Sequence, residues 1–317
     1  MACKRSVLVL GGAGFIGSAI SERFYHEGYD VTVVDGLLNQ SGGRRENIDR
    51  ILPHIQFIES RIEDIDNIVE LVGKFNLIID CMAWTSHHLA IENPLYDLQL
   101  NAASHLHLIN ALNEGQGKQI IFLGSRGQYG SPDSDLITEK TPMIPEDIQG
   151  VHKLTAESYY RLYAKFKKLN VVSLRLPNCF GENQPLSGLD IGLVGGFIRD
   201  LLNNHTLDVY GERKRFLVYV KDVAGIIFKL SQEKTSGFCA YNLGGQEITI
   251  QQLVEALISI IGSGSFVVKE VPDHIKAIDM GNALICEEKL RAKLGDIRST
   301  DLLMALSNTV DYFKLEL

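Results

Sequence analysis

Short, unbroken apolar runs alternate along the first half of the chain with stretches whose apolar residues recur at helical spacing. Val7-Leu8-Val9-Leu10 is the first run and has the pattern of a strand buried on both faces. Ile16, Ile20 and Phe24 follow at i, i+4 and i+8, one stripe of a helix that ends near Gly28. Val31-Thr32-Val33-Val34, Ile55-Gln56-Phe57-Ile58 and Leu77-Ile78-Ile79 predict the next three strands. A helical segment from about 94 to 112 leads to Ile120-Ile121-Phe122-Leu123. Another, about 151 to 167, precedes Val171-Val172-Ser173-Leu174. Strand and helix alternating in this way predict an α/β fold, a doubly wound parallel sheet with right-handed crossovers. After about Cys179 the rhythm changes. Polar, glycine-rich sequence from 181 to 196 leads to a helix near 197–203, a strand at 207–211 and shorter mixed elements. That stretch predicts a smaller cap formed late in the chain.

Between the first strand and the first helix lies Gly11-Gly12-Ala13-Gly14-Phe15-Ile16-Gly17, a G-x-x-G-x-x-G pattern. Glycines permit the tight turn and let the backbone approach a pyrophosphate seated at the helix N-terminus. A glycine motif alone is a weak signal, since a turn with no ligand has the same composition. Here the strand before it, the helix after it and Asp35 at the end of the second strand supply the context of a Rossmann-type dinucleotide site. Asp35 stands eighteen positions beyond Gly17, where a carboxylate accepts both ribose hydroxyls of NAD and repels a 2′-phosphate. Arg44-Arg45, further along, is the main feature favouring NADP, and we read it as a solvated loop.

Further motifs follow in order. Gly42 to Ile48 forms a loop after the second strand, Asn101 opens a segment with Ser104-His105 four positions into it, and Gly124-Ser125-Arg126-Gly127-Gln128-Tyr129-Gly130 ends the fifth strand. Lys153-Leu154-Thr155-Ala156-Glu157, Leu174 to Gly181, Arg215 before Tyr219-Val220-Lys221-Asp222-Val223, and Tyr241-Asn242-Leu243-Gly244 complete the series. Together they resemble the extended short-chain dehydrogenase/reductases of the NAD-dependent nucleotide-sugar epimerase/dehydratase type, over nearly the whole chain. The resemblance implies NAD as cofactor, with Gly11, Gly14, Phe15, Ile16, Gly17, Asp35, Ala83, Asn101, Lys153 and Pro177 at its site. It implies that Ser125 hydrogen-bonds the sugar hydroxyl being oxidised and that Asn178 and Arg215 hold the diphosphate of a nucleotide-sugar substrate. It further implies a NAD-binding domain over 1–178, joined by 216–245, and a smaller substrate-binding domain over 179–317. A homodimer would form through the helices near 94–112 and 151–167.

The pattern breaks at its chemical centre. Four positions before Lys153 the family places a tyrosine that accepts a proton during hydride transfer, and this chain has Gln149. An amide has no basic state near neutrality, and a positioned base contributes on the order of 10²–10⁴ in rate. His152, Glu146 and Tyr129 are the residues that could substitute, with Glu146 better read as a helix cap and Tyr129 as structural. The alternative is a sensor or partner subunit that binds cofactor and nucleotide sugar without turnover. Arg126 and Gly127 replace the acid pair of the dehydratases, which leaves 4-epimerisation or simple oxidation and reduction. Arg126 offers a cation for a sugar carboxylate or an alkoxide. Arg61 and Gly36 depart from the family's adenosine contacts, and Lys269, His274 or Lys276 would stand in for a missing arginine near Pro272.

Composition changes this picture little. The chain has 317 residues with a formal net charge of −8, which argues against a nucleic-acid surface. Five cysteines, odd in number and without metal-ligand spacing, predict reduced thiols and no metal site. The run from Val7 is broken by glycines too early for a signal peptide, and no stretch approaches a membrane span. The expectation is a cytoplasmic protein with neither nucleic acid nor membrane as partner.

Overall fold

The computed structural model of the chain describes residues 5–39, 41–114, 117–186, 191–210, 213–271, 283–297 and 299–316. Its first strands are β1 (Ser6–Leu10), β2 (Asp30–Asp35), β3 (Gln56–Glu59), β4 (Leu77–Asp80) and β5 (Gln119–Ser125). The short β6 (Leu136–Ile137) lies outside the main sheet, and β7 (Asn170–Leu176) returns to it. Then come β8 (Asn178–Phe180), β9 (Thr206–Tyr210), β10 (Lys214–Tyr219), β11 (Phe238–Asn242), β12 (Gln246–Thr249), β13 (Ser265–Lys269) and β14 (Leu284–Ile285). Seven of them form one sheet in the order β11-β7-β5-β4-β1-β2-β3, with every neighbouring pair parallel. The order reverses at β1, which lies between β2 and β4, so a crevice opens at the carboxyl ends of β1 and β4.

Period-two alternation splits these strands between two cores. Val7, Val9, Val31, Val33 and Ile79 pack with α1 (Phe15–His26), while Leu8, Leu10, Val34 and Ile78 face the other way. All four residues Val7–Leu10 are fully buried, which is why the run carries no polar alternation. The second face is covered by α2 (Ile68–Gly73) and, further on, by longer helices. Helix α3 (His87–Glu92) begins on a Ser86 cap and α4 (Pro94–Leu98) on an Asn93 cap. After α4 come a π turn over 99–103 and α5 (Ser104–Ala111). The continuous helix expected over 94–112 is therefore interrupted by one wide turn that buries Leu100, Asn101 and Ala102. Helix α6 (Ile148–Phe166) starts three residues before its expected position. Its cap is Asp147, whose Oδ1 accepts from the Gly150 N–H at 2.6 Å, whereas Glu146 accepts from Ser131.

The later chain builds a second lobe. Helix α7 (Leu193–Leu202), α9 (Ile250–Ile261) and the helix Leu302–Glu316 enclose an apolar core with the sheet β12-β10-β8. Between them α8 (Val220–Gln232) packs on α1, and β11 joins the main sheet beside β7. Lys269 on β13 pairs across a two-stranded sheet with Asp208 at 2.8 Å, and His274 and Lys276 lie outside the described residues. Cys81, Cys179, Cys239 and Cys286 are free thiols, and Cys3 lies outside the described residues.

A polar knot inside this apolar frame ties α6 to the sheet. Glu157 accepts from Arg175 through both carboxylate oxygens, from Ser173 at 2.7 Å and from Gln128 at 2.9 Å. Burial opposes ionisation of Glu157, yet the Arg175 guanidinium outweighs it and holds the carboxyl below its ordinary range. Glu157→Gln leaves a buried guanidinium short of its charge partner and should cost about 3 kcal/mol of stability, read from the urea midpoint. Because the folded-state pKa is depressed, this stability is present above the usual glutamate pKa and fades as pH falls through the folded value. The wild type should thus lose more stability than the variant on acidification below about pH 4.5.

Candidate active site

A cleft of about 760 Å³ runs from the β1–α1 turn across the carboxyl ends of the sheet to β8 and β10. At one end Gly11 takes a left-handed φ of +69°, and a Cβ there would sit 3.0 Å from the Cys81 carbonyl. A Cβ on Gly17 would fall 2.0 Å from the Gly11 carbonyl oxygen, so only glycine lets α1 start this close to the turn. Gly14 caps the helix without any side-chain acceptor, and the next two residues, Phe15 and Ile16, form cleft wall. Their first-turn amides have no intrahelical carbonyl, and that is the construction of a diphosphate cradle.

Asp35 ends β2 beside this turn. Its Oδ1 accepts from the Leu37 N–H at 2.9 Å and its Oδ2 from the Ala13 N–H at 3.0 Å. Burial raises its pKa while those backbone donors pull it back, so the carboxylate is oriented but partly desolvated. Arg44 donates to Asn47 at 3.2 Å and Arg45 lies over the Phe57 ring at 5.7 Å, and both are exposed outside the cleft. Arg61 does reach the cleft, beside Gly36, and faces Glu63 at 3.5 Å.

At the other end of the cleft the carboxyl end of β5 meets α6. Ser125 Oγ accepts from the Gly127 N–H at 3.0 Å and starts a short turn, and the serine also forms cleft wall. Lys153 is buried, with Nζ donating to the Met82 carbonyl at 3.0 Å and standing 5.1 Å over the Phe122 ring. Burial pushes its pKa down, and the Asp80 charge pulls it back toward the cationic form. Arg126, Ala83, Pro177, Asn178 and Arg215 are also walls of the same cleft.

Four residues weighed for the site have other surroundings. Asn101 is fully buried and clamps Trp84, accepting from its N–H at 3.0 Å and donating to its carbonyl at 2.7 Å. It shapes the 82–85 segment through backbone and is not a cleft wall. Gln149 donates to that same Trp84 carbonyl at 2.9 Å. His152 turns its ring to the buried Asp97, 2.5 Å from Nδ1 to Oδ1, on the side of α6 that meets α4. Tyr129 is buried between Arg175 and Asn242, at 2.5 Å and 2.7 Å, in a structural position.

Sequence reasoning passed over His87 and His88, which with Thr85 are walls of the cleft. Their signal was positional: two imidazoles stand a few residues beyond the carboxyl end of β4, the edge where ligands of such sheets bind. A buried cluster at that same end, Asp80 with His105 at 2.6 Å and Tyr160 at 2.5 Å, also went unread.

Comparison with known proteins agrees with this geometry. The model of the NAD dependent epimerase/dehydratase family matches residues 7–244. A putative UDP-glucose 4-epimerase of Methanocaldococcus jannaschii is 30% identical over 261 residues, covering 81% of this chain and 82% of that protein. The UDP-glucose 4-epimerase of Thermotoga maritima, solved with UDP-glucose, superposes with a TM-score of 0.87 at 28% identity over 98% and 99% of the chains. The Thermus thermophilus UDP-glucose 4-epimerase, solved with NAD, gives 0.84 at 27% identity over 98% and 100%. With its glycine turn, its acidic β2 end and its serine and lysine on one cleft, the chain belongs to the NAD-dependent epimerase/dehydratase family, and its cofactor is NAD.

Proposed function

We propose that the protein interconverts or oxidises nucleotide sugars at the sugar C4 by reversible hydride transfer. The observation that carries this reading is a single cleft joining the β1–α1 turn and Asp35 to Ser125, Lys153 and Arg215. NAD supplies the hydride acceptor when bound. The chain's own groups divide the remaining tasks. First-turn amides at Phe15 and Ile16 neutralise the cofactor diphosphate, and Asp35 accepts from ribose hydroxyls. Lys153 holds the second ribose, near the walls formed by Ala83 and Pro177. Ser125 donates to the sugar oxygen, Asn178 and Arg215 bind the nucleotide diphosphate, and Arg126 steadies charge developing on that oxygen. Residues 1–178 with 216–245 form the cofactor domain, and 179–317 otherwise closes over the substrate.

The relatives named above are epimerases, and the chain lacks the acid pair for loss of water, so 4-epimerisation is favoured over elimination. A second reading, binding without turnover, draws on Gln149, whose amide is held by the Trp84 carbonyl. Incubation with a panel of UDP-, dTDP-, GDP- and CDP-sugars, followed by NMR and absorbance at 340 nm, separates the two. An epimer or transient reduced cofactor is expected, and neither with any sugar would defeat the hydride-transfer reading.

Asp35→Asn removes the charge and one acceptor while keeping the shape. NAD affinity should fall about tenfold, the loss of one charge-assisted hydrogen bond, and discrimination against NADP should narrow in calorimetry. The exposed apolar side chains Ile91, Leu95, Val151, Leu162 and Phe166 on α3, α4 and α6 are proposed to meet a second copy. Leu95→Asp with Leu162→Asp should then shift sedimentation from dimer to monomer, and a wild-type monomer would refute the pairing.

A further inference from the structure

We propose that His87 is the proton acceptor of this site, taking the sugar hydroxyl proton on Nε2 while Asp147 orients its ring. The proposal rests on the hydride-transfer reading above. Oxidation of a carbinol needs two departures, the hydride from carbon and the proton from oxygen, and Gln149 can take neither. Among the described residues of the cleft wall, His87 and His88 are the imidazoles. The other ionisable walls serve poorly. Asp35 is engaged by the Ala13 and Leu37 amides, Glu63 by Ser104 and Arg61, and burial pushes the Cys81 and Cys179 thiols well up.

Placement favours His87. It is the first residue of α3, held by Ser86, whose Oγ accepts from the Leu89 N–H at 3.3 Å. Trp84, three residues earlier, accepts from Gln149 through its carbonyl, which ties this segment to α6. From the opposite side Asp147, two residues before Gln149, brings Oδ1 to 3.8 Å from His87 Nδ1. Asp147 is itself immobilised as the cap of α6. A carboxylate near Nδ1 favours the tautomer with its proton there and leaves Nε2 as the acceptor. The 3.8 Å separation is longer than a hydrogen bond, as catalytic contacts often are before substrate closes on them.

The remaining charges around α3 are committed elsewhere. Asp97 and His152 pair with each other and Glu146 accepts from Ser131, while His88 faces Glu92 at 3.5 Å on its own helix, without the tie to the start of α6 that Asp147 gives His87. Lys153 lies on the carbonyls of Met82 and Leu123. In the forward step the C4–H bond breaks with its electron pair passing to the cofactor, a C=O bond forms and the O–H proton passes to Nε2. In the reverse step the imidazolium returns that proton to oxygen as hydride comes back to carbon, on either face.

The test is His87→Gln, with folding and NAD binding checked by thermal melting and calorimetry. The value of kcat should drop at least about 100-fold with KM little changed. The acidic limb that imidazole protonation imposes on the kcat–pH profile should vanish. Asp147→Asn, which still caps α6, should give a smaller loss, and Gln149→Tyr added to His87→Gln should restore turnover through a phenol. The proposal is overturned if His87→Gln keeps its rate or its acidic limb, or if His88→Gln takes the loss instead. Both of those outcomes leave the hydride-transfer reading standing. A wild type that converts no nucleotide sugar overturns both.

Discussion

The Gly11 carbonyl oxygen has almost no free space on its α1 side, and much of the molecule is arranged around that contact. A methyl group on Gly17 would come within 2.0 Å of it, so α1 begins where it does only because residue 17 has no side chain. That start aims the orphan amides of the first helical turn at the crevice where the strand order reverses. Moving the helix away by one side chain would separate the amide cradle from Asp35, whose own carboxylate is tied to the Ala13 N–H of the same turn. Turn, helix and acid are therefore tied together on β1 and β2. The apolar faces of Val7, Val9, Val31 and Val33 anchor it from below.

The reaction end is organised by a different contact, the carbonyl of Trp84. It accepts from Asn101 and from Gln149, and the Trp84 N–H donates back to Asn101. One backbone unit thus joins the π turn, α6 and the loop that leads to His87. A tyrosine at 149 would project its hydroxyl beyond the reach of a glutamine amide. With glutamine, the same helix position becomes a clamp on the loop. Gln149 thus ties the start of α6 to the segment that leads to His87.

The sheet was legible because its strands are buried on both faces, so burial wrote itself as unbroken runs such as Val7–Leu10 and Ile120–Leu123. The glycine turn and Asp35 were legible because backbone sterics and ribose chemistry leave few residue choices. Ser125, Arg126, Lys153, Asn178 and Arg215 were found by their order along the chain, and all five are walls of one cleft. What the chain order could not show was set by tertiary contact. Asn101 acts through the backbone of Trp84, and His152 turns toward Asp97 because that carboxylate is buried one helix away. The choice of Asp147 over Glu146 as cap turned on one residue of helix phase, which periodicity does not resolve. His87 and His88 escaped because a histidine pair has no spacing rule; only the crevice makes them conspicuous.

Two buried ionic clusters bracket the lysine. Asp80, at the end of β4, gathers His105 and Tyr160, and Glu157, one helical turn beyond Lys153, gathers Arg175, Ser173 and Gln128. Burial opposes the charge on Asp80, but His105, Tyr160 and Lys153 together hold its carboxyl below the usual range. Such clusters are weak sources of net stability, since desolvation offsets most of their attraction. Their geometric effect is larger: each fixes one wall of the cleft, β4 through Asp80 and β5 to β7 through Glu157. Burial pulls Lys153 toward its neutral form and the Asp80 charge pulls it back toward the cation. The cleft wall at the short α3 carries His87 and His88, and the His87 ring is largely exposed.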